Sequence, residues 1–272
     1  MSVRKTVANE GLVDTITFLG TAGARFMVTK QLAASGGMWL NLGGTQILID
    51  PGPGCIVQTT KRKLNAEKLS AIMISHRHLD HSGDANVMVE AMTGGGFRRH
   101  GMVFLPADAL APEPVIFSYL KNYVEGITVL EAEKTYEIGN ISFKTSVRHV
   151  HPVETYGMVF AAAGLRIGYI PDTLYFPGLA ASYAGSDLII VNMVLTVARP
   201  PVQHLNVADT EALIREIKPQ AAVLSHFGMH VWQARPWLVA EEMSQKTGVR
   251  VIAARDGMKF DLTQLKEATA QK

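Results

Sequence analysis

Cysteine is almost absent: Cys55 is the only one in 272 residues. That excludes an intrachain disulfide and limits any metal to a single thiolate, so a metal site has to be built from histidine and carboxylate. No apolar run approaches the ~20 residues that span a bilayer, and residues 1–11 lack the charged start and apolar segment of a secretory signal. A cytoplasmic protein with no membrane association is expected. Strong charge of either sign is missing too, with a formal net charge of +2. So small a value does not announce a nucleic-acid binder, and the local clusters Lys61-Arg62-Lys63 and Arg98-Arg99-His100 read as solvated faces. Linkers rich in Pro, Gly or Ser are also lacking, which favours one domain over residues 1–272.

What the chain has instead is a dense run of polar chemistry. Ser75-His76-Arg77-His78-Leu79-Asp80-His81-Ser82-Gly83-Asp84 follows directly on the apolar residues 71–74. Neutral imidazole and carboxylate are the ligand types that suit divalent zinc, iron, nickel or manganese. An ordinary solvated turn gives no reason for three imidazoles so close together. His76 and His78 can converge from an extended segment, whereas Asp80 and His81 start a helix and point to a second position. Together with distant ligands, these four side chains exceed what one tetrahedral ion needs, and two ions are expected.

The rest of the chain reads as strands and helices in alternation. Residues 15–19 form a strand that stops at Gly20, with a tight turn at 21–23. Residues 38–42 and 46–49 flank Gly43-Gly44 as a hairpin, and Asp50 then meets the sharp exit Pro51-Gly52-Pro53-Gly54. Asp50 has two compatible roles there, accepting turn N–H groups and supporting a metal ligand from behind. Helical spacing covers 56–63, 85–92, 114–123, 207–217 and 236–247, and strands cover 71–74, 102–105, 127–130, 141–147, 158–162, 166–170, 188–192, 221–224, 251–253 and 259–262. Such a pattern fits an α/β fold of two sheets face to face with helices outside.

In a layered α/β fold the carboxyl ends of strands gather along one edge. His149 and His151 follow one strand, Asp172 another and His226 a third, so each can reach the turn at 76–81. His149 and His151 stand in an i, i+2 relation and are expected to face the same way. Asp84 is explained by the helix dipole, and His230 reads as a surface or rim residue. Asn206 with Asp209 is an N-capping pattern, which leaves His204, just outside the cap, in need of another reason.

The ordered set Phe18-Leu19-Gly20-Thr21, Ile47-Leu48-Ile49-Asp50-Pro51-Gly52, His-x-His-x-Asp-His at 76–81, His151 before Gly157, Pro171-Asp172-Thr173, His204 and Ser225-His226 resembles the metallo-β-lactamase-fold hydrolases. The branch it is most similar to is that of ribonuclease Z and the phosphonate-pathway cyclic phosphodiesterases. The resemblance implies a four-layer αββα sandwich with two mixed sheets. It implies His76, His78 and His151 on one metal, Asp80, His81 and His226 on the other, and Asp172 between them. The spacing of residues 152–157 in the family favours His151 over His149. Two ions roughly 3.5–4 Å apart share a hydroxide and clamp a phosphoryl group. Zinc is the first expectation, with manganese, iron and nickel as alternatives.

The implied reaction is hydrolysis of a small or cyclic phosphodiester, with Asp80 in the catalytic machinery and His204 assisting the leaving group. A carboxylic ester, thioester or lactone hydrolase on the same site is the alternative. A diiron redox protein is less favoured, because that branch usually places Glu where this chain has His78. The resemblance also allows a homodimer. Two departures bear on the substrate. His151 and Asp172 lie 21 positions apart, room for a hairpin but not for the tRNA-gripping arm that ribonuclease Z commonly inserts there. The cysteine-rich zinc loop of the cyclic phosphodiesterases is missing as well. A small molecule is therefore expected rather than a nucleic acid.

Overall fold

The computed structural model describes residues 13–162 and 164–265, and the expectation about residues 1–11 lies outside them. Two seven-stranded mixed sheets form the centre. In the first, β1 (Thr15–Phe18), β2 (Met38–Leu42) and β3 (Thr45–Ile49) are antiparallel neighbours, and β4 (Leu69–Met73), β5 (Met102–Leu105) and β6 (Gly126–Val129) continue in parallel. The second repeats this plan. Its antiparallel part is β7 (Thr135–Ile138), β8 (Ile141–Arg148), β9 (Tyr156–Ala162) and β10 (Leu165–Ile170). β11 (Leu188–Asn192), β12 (Ala221–Ser225) and β13 (Arg250–Ala253) extend it in parallel, while β14 (Lys259–Asp261) returns to pair with β1.

Strand alternation assigns each side chain to a layer. Ile47 and Ile49 face the space between the sheets, where they join Phe104, Phe143, Phe160 and Ile190, while Leu48 faces outward. Against that outer face lie α2 (Cys55–Lys61) and α4 (Ala85–Met92), which bury Cys55, Met88, Val89 and Met92. On the opposite outer face, α5 (Val207–Ile217) and α7 (Pro236–Thr247) bury Leu213, Ile214, Ala240 and Met243 against Ile189, Val191 and Leu224. The result is the expected αββα sandwich, and a buried aromatic such as Phe143 is worth about 3–5 kcal/mol to it. Among the described residues, no helix is long and apolar enough to cross a membrane.

Three local expectations are corrected. Residues 114–123 do not form an α-helix: only a 3-10 turn occurs, at Ser118–Asn122. Pro112 and Pro114 bring no N–H donors, and Phe117 N–H is drawn instead to Asn86 Oδ1 at 2.9 Å. Residues 21–23 are not a simple tight turn either, because Ala22 makes a β-bridge with Phe227 and Gly23 leads into α1 (Ala24–Lys30). Finally, β7 and the short α6 (Met229–Gln233) lie in stretches assigned no structure from the sequence.

Candidate metal centre

β3, β4, β8, β10, β11 and β12 all deliver their carboxyl ends to one edge of the sandwich. β4 ends at Met73, and Ser75 N–H is caught by Asp50 Oδ1 at 2.6 Å. His78 is still extended, with φ −60° and ψ 147°, and the single turn α3 (Leu79–Ser82) then carries Asp80 and His81. His226 follows β12 with φ +58°, a left-handed backbone that costs a non-glycine residue about 1–2 kcal/mol. The bend is held on both sides: Phe227 N–H donates to Thr21 O at 2.8 Å, and Phe227 O accepts from Gly23 N–H at 3.0 Å.

The seven metal-ligand candidates come together. His76, His78 and His151 form one compact group, Asp80, His81 and His226 a second, and His76, His81 and Asp172 a third that joins them, with the ligand atoms of each group within 4.8 Å of one another. His151 Nε2 lies 3.1 Å from His78 Nδ1, and His81 Nε2 lies 3.3 Å from His226 Nε2. Two nitrogens bound at about 2.0–2.1 Å to one tetrahedral ion stand about 3.3–3.4 Å apart, so these spacings suit a shared ion.

Hydrogen bonds fix which nitrogens are free to bind. The single Ser75 hydroxyl proton goes to Asp50 Oδ2 at 2.7 Å, so the 3.0 Å contact between Ser75 Oγ and His76 Nδ1 carries the imidazole's proton. His76 Nε2 is thereby a bare lone pair, fully buried and without a hydrogen-bond partner. An orphaned acceptor aimed into a cluster of imidazoles and carboxylates is costly by itself and is satisfied by a cation. His81 Nδ1 donates to Asp50 Oδ2 at 2.9 Å and His151 Nδ1 to the Gln203 carbonyl at 3.1 Å, turning Nε2 of each toward the centre.

Asp172, 2% exposed, lies between the two groups. Its Oδ1 accepts from Asn192 Nδ2 at 2.9 Å, while Oδ2 stands 3.5 Å from His81 Nε2, 3.9 Å from His76 Nε2 and 3.4 Å from His204 Nδ1. Oδ1 also stands 3.4 Å from His226 Nε2, so Asp172 faces the second group through both oxygens and would be shared with the first through Oδ2.

Charge and burial act against each other here. Burial pushes the proton affinity of His76 well down and lowers those of His78 and His204, so these rings are neutral. Burial also opposes a charge on His81, yet Asp172, Asp50 and Asp80 outweigh it and hold His81 well above the ordinary histidine range. Burial resists ionisation of Asp172 and Asp80 too, but the surrounding histidines keep both carboxyls below their usual value. Three carboxylates in so tight a nest need positive charge, and without an ion the His81 proton supplies it. The donor set therefore fits divalent cations.

The remaining candidates separate cleanly. His149 does not face the way His151 does, because β8 ends at Arg148 after a register shift and the i, i+2 rule of a strand no longer holds. Its Nε2 meets the Tyr183 hydroxyl at 2.9 Å and its Nδ1 meets the Asp172 carbonyl at 3.3 Å, away from the centre. His204 reaches the centre and is 15% exposed. His230 sits on the surface, accepting from Arg199 Nη1 at 2.7 Å. Asp84 orients no imidazole and instead accepts Ile56 N–H at 3.0 Å, tying α2 to α4. Asp50 supports His81 as expected, though the backbone donor it accepts is Ser75 rather than its own turn. Asn192 and Tyr169 had no assigned role. Asn192 ends an apolar strand beside Asp172 and could have been suspected, whereas Tyr169, which donates to Asp50 Oδ2 at 2.7 Å, gives no sequence signal.

Face-to-face mixed sheets with helices outside, and two histidine-carboxylate groups meeting at one aspartate on the sheet edge, define a metallo-β-lactamase-fold hydrolase. A family model described as the beta-lactamase superfamily domain matches residues 45–227, and the chain belongs to that superfamily. It is 32% identical over 257 residues to the uncharacterized protein MJ1374 of Methanocaldococcus jannaschii, covering 91% of this chain and 94% of that one. A ribonuclease Z of Borreliella burgdorferi is 20% identical, with 90% of this chain and 96% of that one covered. Among solved structures, the metallo-β-lactamase fold protein YhfI of Bacillus subtilis superposes with a TM-score of 0.76 at 19% identity, over 92% of this chain and 99% of that one.

Proposed function

We propose that this metallo-hydrolase cleaves a small phosphodiester, linear or cyclic, at a two-metal centre, with zinc the first candidate. The observation that carries this reading is His204. It is a further imidazole at the centre, 3.4 Å from Asp172 Oδ2, and its Nδ1 has no hydrogen-bond partner. Its backbone is set by the capping box of α5, in which Asn206 Oδ1 accepts Asp209 N–H at 3.1 Å, and by Leu195 N–H to Leu205 O at 3.2 Å. A ligand cage alone gives no reason for this additional ring; a leaving oxygen that needs a proton does. The resemblance to ribonuclease Z supports phosphorus chemistry.

Divalent ions bound by the two histidine-carboxylate groups would supply Lewis-acid polarisation of the phosphoryl group and lower the pKa of a water toward ~7. Asp80, ionised and 17% exposed, would accept a hydrogen bond from the attacking water and orient it. His204 is neutral because burial lowers its proton affinity; an anionic phosphate beside it raises that affinity, so the ring takes up a proton from solvent as substrate binds and passes it to the departing oxygen, returning to neutral. Asn192 holds Asp172 in place throughout. A small substrate is favoured over tRNA because β9 and β10 take up most of the chain between His151 and Asp172.

The test is a substrate panel on zinc-loaded protein before and after chelation, containing bis(p-nitrophenyl) phosphate, a lactone and a thioester. Chelator-sensitive turnover of the phosphodiester is expected. Turnover of an acyl substrate alone would overturn the proposal in favour of ester, thioester or lactone hydrolysis.

A further inference from the structure

Several arginines stand on segments that carry the metal centre, and Arg77, Arg199 and Arg25 differ in what they hold. Arg77, between His76 and His78, donates through Nη2 to the Glu113 carboxylate at 3.2 Å and to its carbonyl at 3.3 Å. Arg199, on the stretch leading to His204, donates to His230 Nε2 at 2.7 Å. Arg25 is exposed and has no hydrogen bond or ion pair among the described residues. No acidic residue occurs between residues 15 and 49, so the local sequence offers it no counter-charge.

Its position is nevertheless fixed relative to the centre. Gly23, two residues earlier, donates to Phe227 O at 3.0 Å, and Ala22 bridges Phe227, the neighbour of His226. A Cβ on Gly23 would collide with the His226 carbonyl and ring, so the chain passes directly over that ligand before α1 begins. α1 packs against α3, which carries Asp80 and His81, and Met27 anchors it in a small apolar cluster with Ala22 and Ala33. The Arg25 guanidinium lies close enough to His78 for its charge to act on that ring.

We propose that Arg25 binds a second phosphate of the substrate, one that projects out of the site while the scissile phosphodiester lies at the metal centre. The proposal rests on the phosphodiesterase reading above. The scissile group has to reach the buried His76, His81 and Asp172, whereas Arg25 stays in solvent and can meet only a group that protrudes. An unpaired guanidinium matches a phosphate with two parallel N–H donors, and with no carboxylate to compete it is free to do so. The substrate class is then a phosphodiester bearing a terminal phosphomonoester.

Two substrates that differ by one phosphate test this on the zinc-loaded full chain: thymidine 5′-(p-nitrophenyl phosphate) and its 3′-phosphorylated form. The second is expected to have about tenfold higher kcat/KM, mainly through KM, and the advantage should shrink as salt is raised. Arg25→Ala should bring the ratio to about one with zinc content retained, and Arg25→Lys should keep part of it. A wild-type ratio of one or below, or a ratio that survives Arg25→Ala, overturns the Arg25 role while leaving phosphodiester hydrolysis standing. No turnover of either substrate, with turnover of a lactone or thioester, overturns both.

Discussion

Replacing Asp50 with Asn should weaken metal binding without touching a single ligand. Asp50 accepts four hydrogen bonds: Ser75 N–H at 2.6 Å on Oδ1, and Ser75 Oγ at 2.7 Å, His81 Nδ1 at 2.9 Å and Tyr169 OH at 2.7 Å on Oδ2. Asparagine offers one acceptor oxygen and an NH2 group. With its oxygen toward His81, the NH2 opposes Ser75 N–H, donor against donor; turned the other way, it opposes three donors. The first arrangement is the cheaper one and leaves a buried N–H unsatisfied at about 1–3 kcal/mol, while the three remaining bonds lose their charge assistance. His81 loses its carboxylate partner directly, and His76 feels the change through Ser75 Oγ. Loss of such outer support typically costs about 10–100-fold in metal affinity, or about 1.4–2.7 kcal/mol. Zinc titration against a competing chelator measures it, with far-ultraviolet circular dichroism confirming that the variant is folded. Two affinities within twofold of wild type in a folded variant would refute the reasoning.

Other consequences follow from the same network. His204→Ala should lower kcat for a phosphodiester by about 10²–10⁴ with metal content unchanged, and equal turnover in the variant would remove His204 from the chemistry. Because its three carboxylate neighbours hold His81 well above the ordinary range, the metal-free protein carries that proton at pH 7, and zinc binding should release about one proton from it. Calorimetry in buffers of different ionisation enthalpy reads the release, and no buffer dependence would contradict it. His149 is held down to about 4 by burial, against 6.5 when unfolded, so only the unfolded chain takes up this proton as pH falls below about 6.5. Stability is therefore present at higher pH and lost toward about 4, with about 2 kcal/mol gone between pH 7 and 5. His149→Gln should show a correspondingly flatter dependence in urea unfolding, and an unchanged slope would refute it.

Much of the fold is legible because its elements carry their own boundaries. α4, α5 and α7 match their expected spans: Gly94-Gly95-Gly96 follows the first, Asn206 caps the second, and Pro236 and Gly248 bracket the third. β5 stands out as an apolar run between Gly101 and Pro106. By contrast, α1 has no side-chain cap and buries only Met27, so its stability comes from contacts with Ala22 and Ala33 that periodicity does not register. At the site, the turn at 76–81 announces itself, Asp172 and His226 follow from strand ends, and a strand end offers His149 and His151 alike, with the family spacing favouring His151. That His149 turns away does not follow, because an alternation rule was extended past the end of a strand. Asn192 and Tyr169 act through neighbours on adjacent strands, and such adjacency is a property of sheet order rather than of local sequence.

The two-metal centre is tested most directly by anomalous diffraction at the zinc edge from crystals of the zinc-loaded protein. Two peaks are expected, one among His76, His78 and His151 and the other among Asp80, His81 and His226, with Asp172 Oδ2 between them. A single peak, or ions held by other residues, would contradict the account.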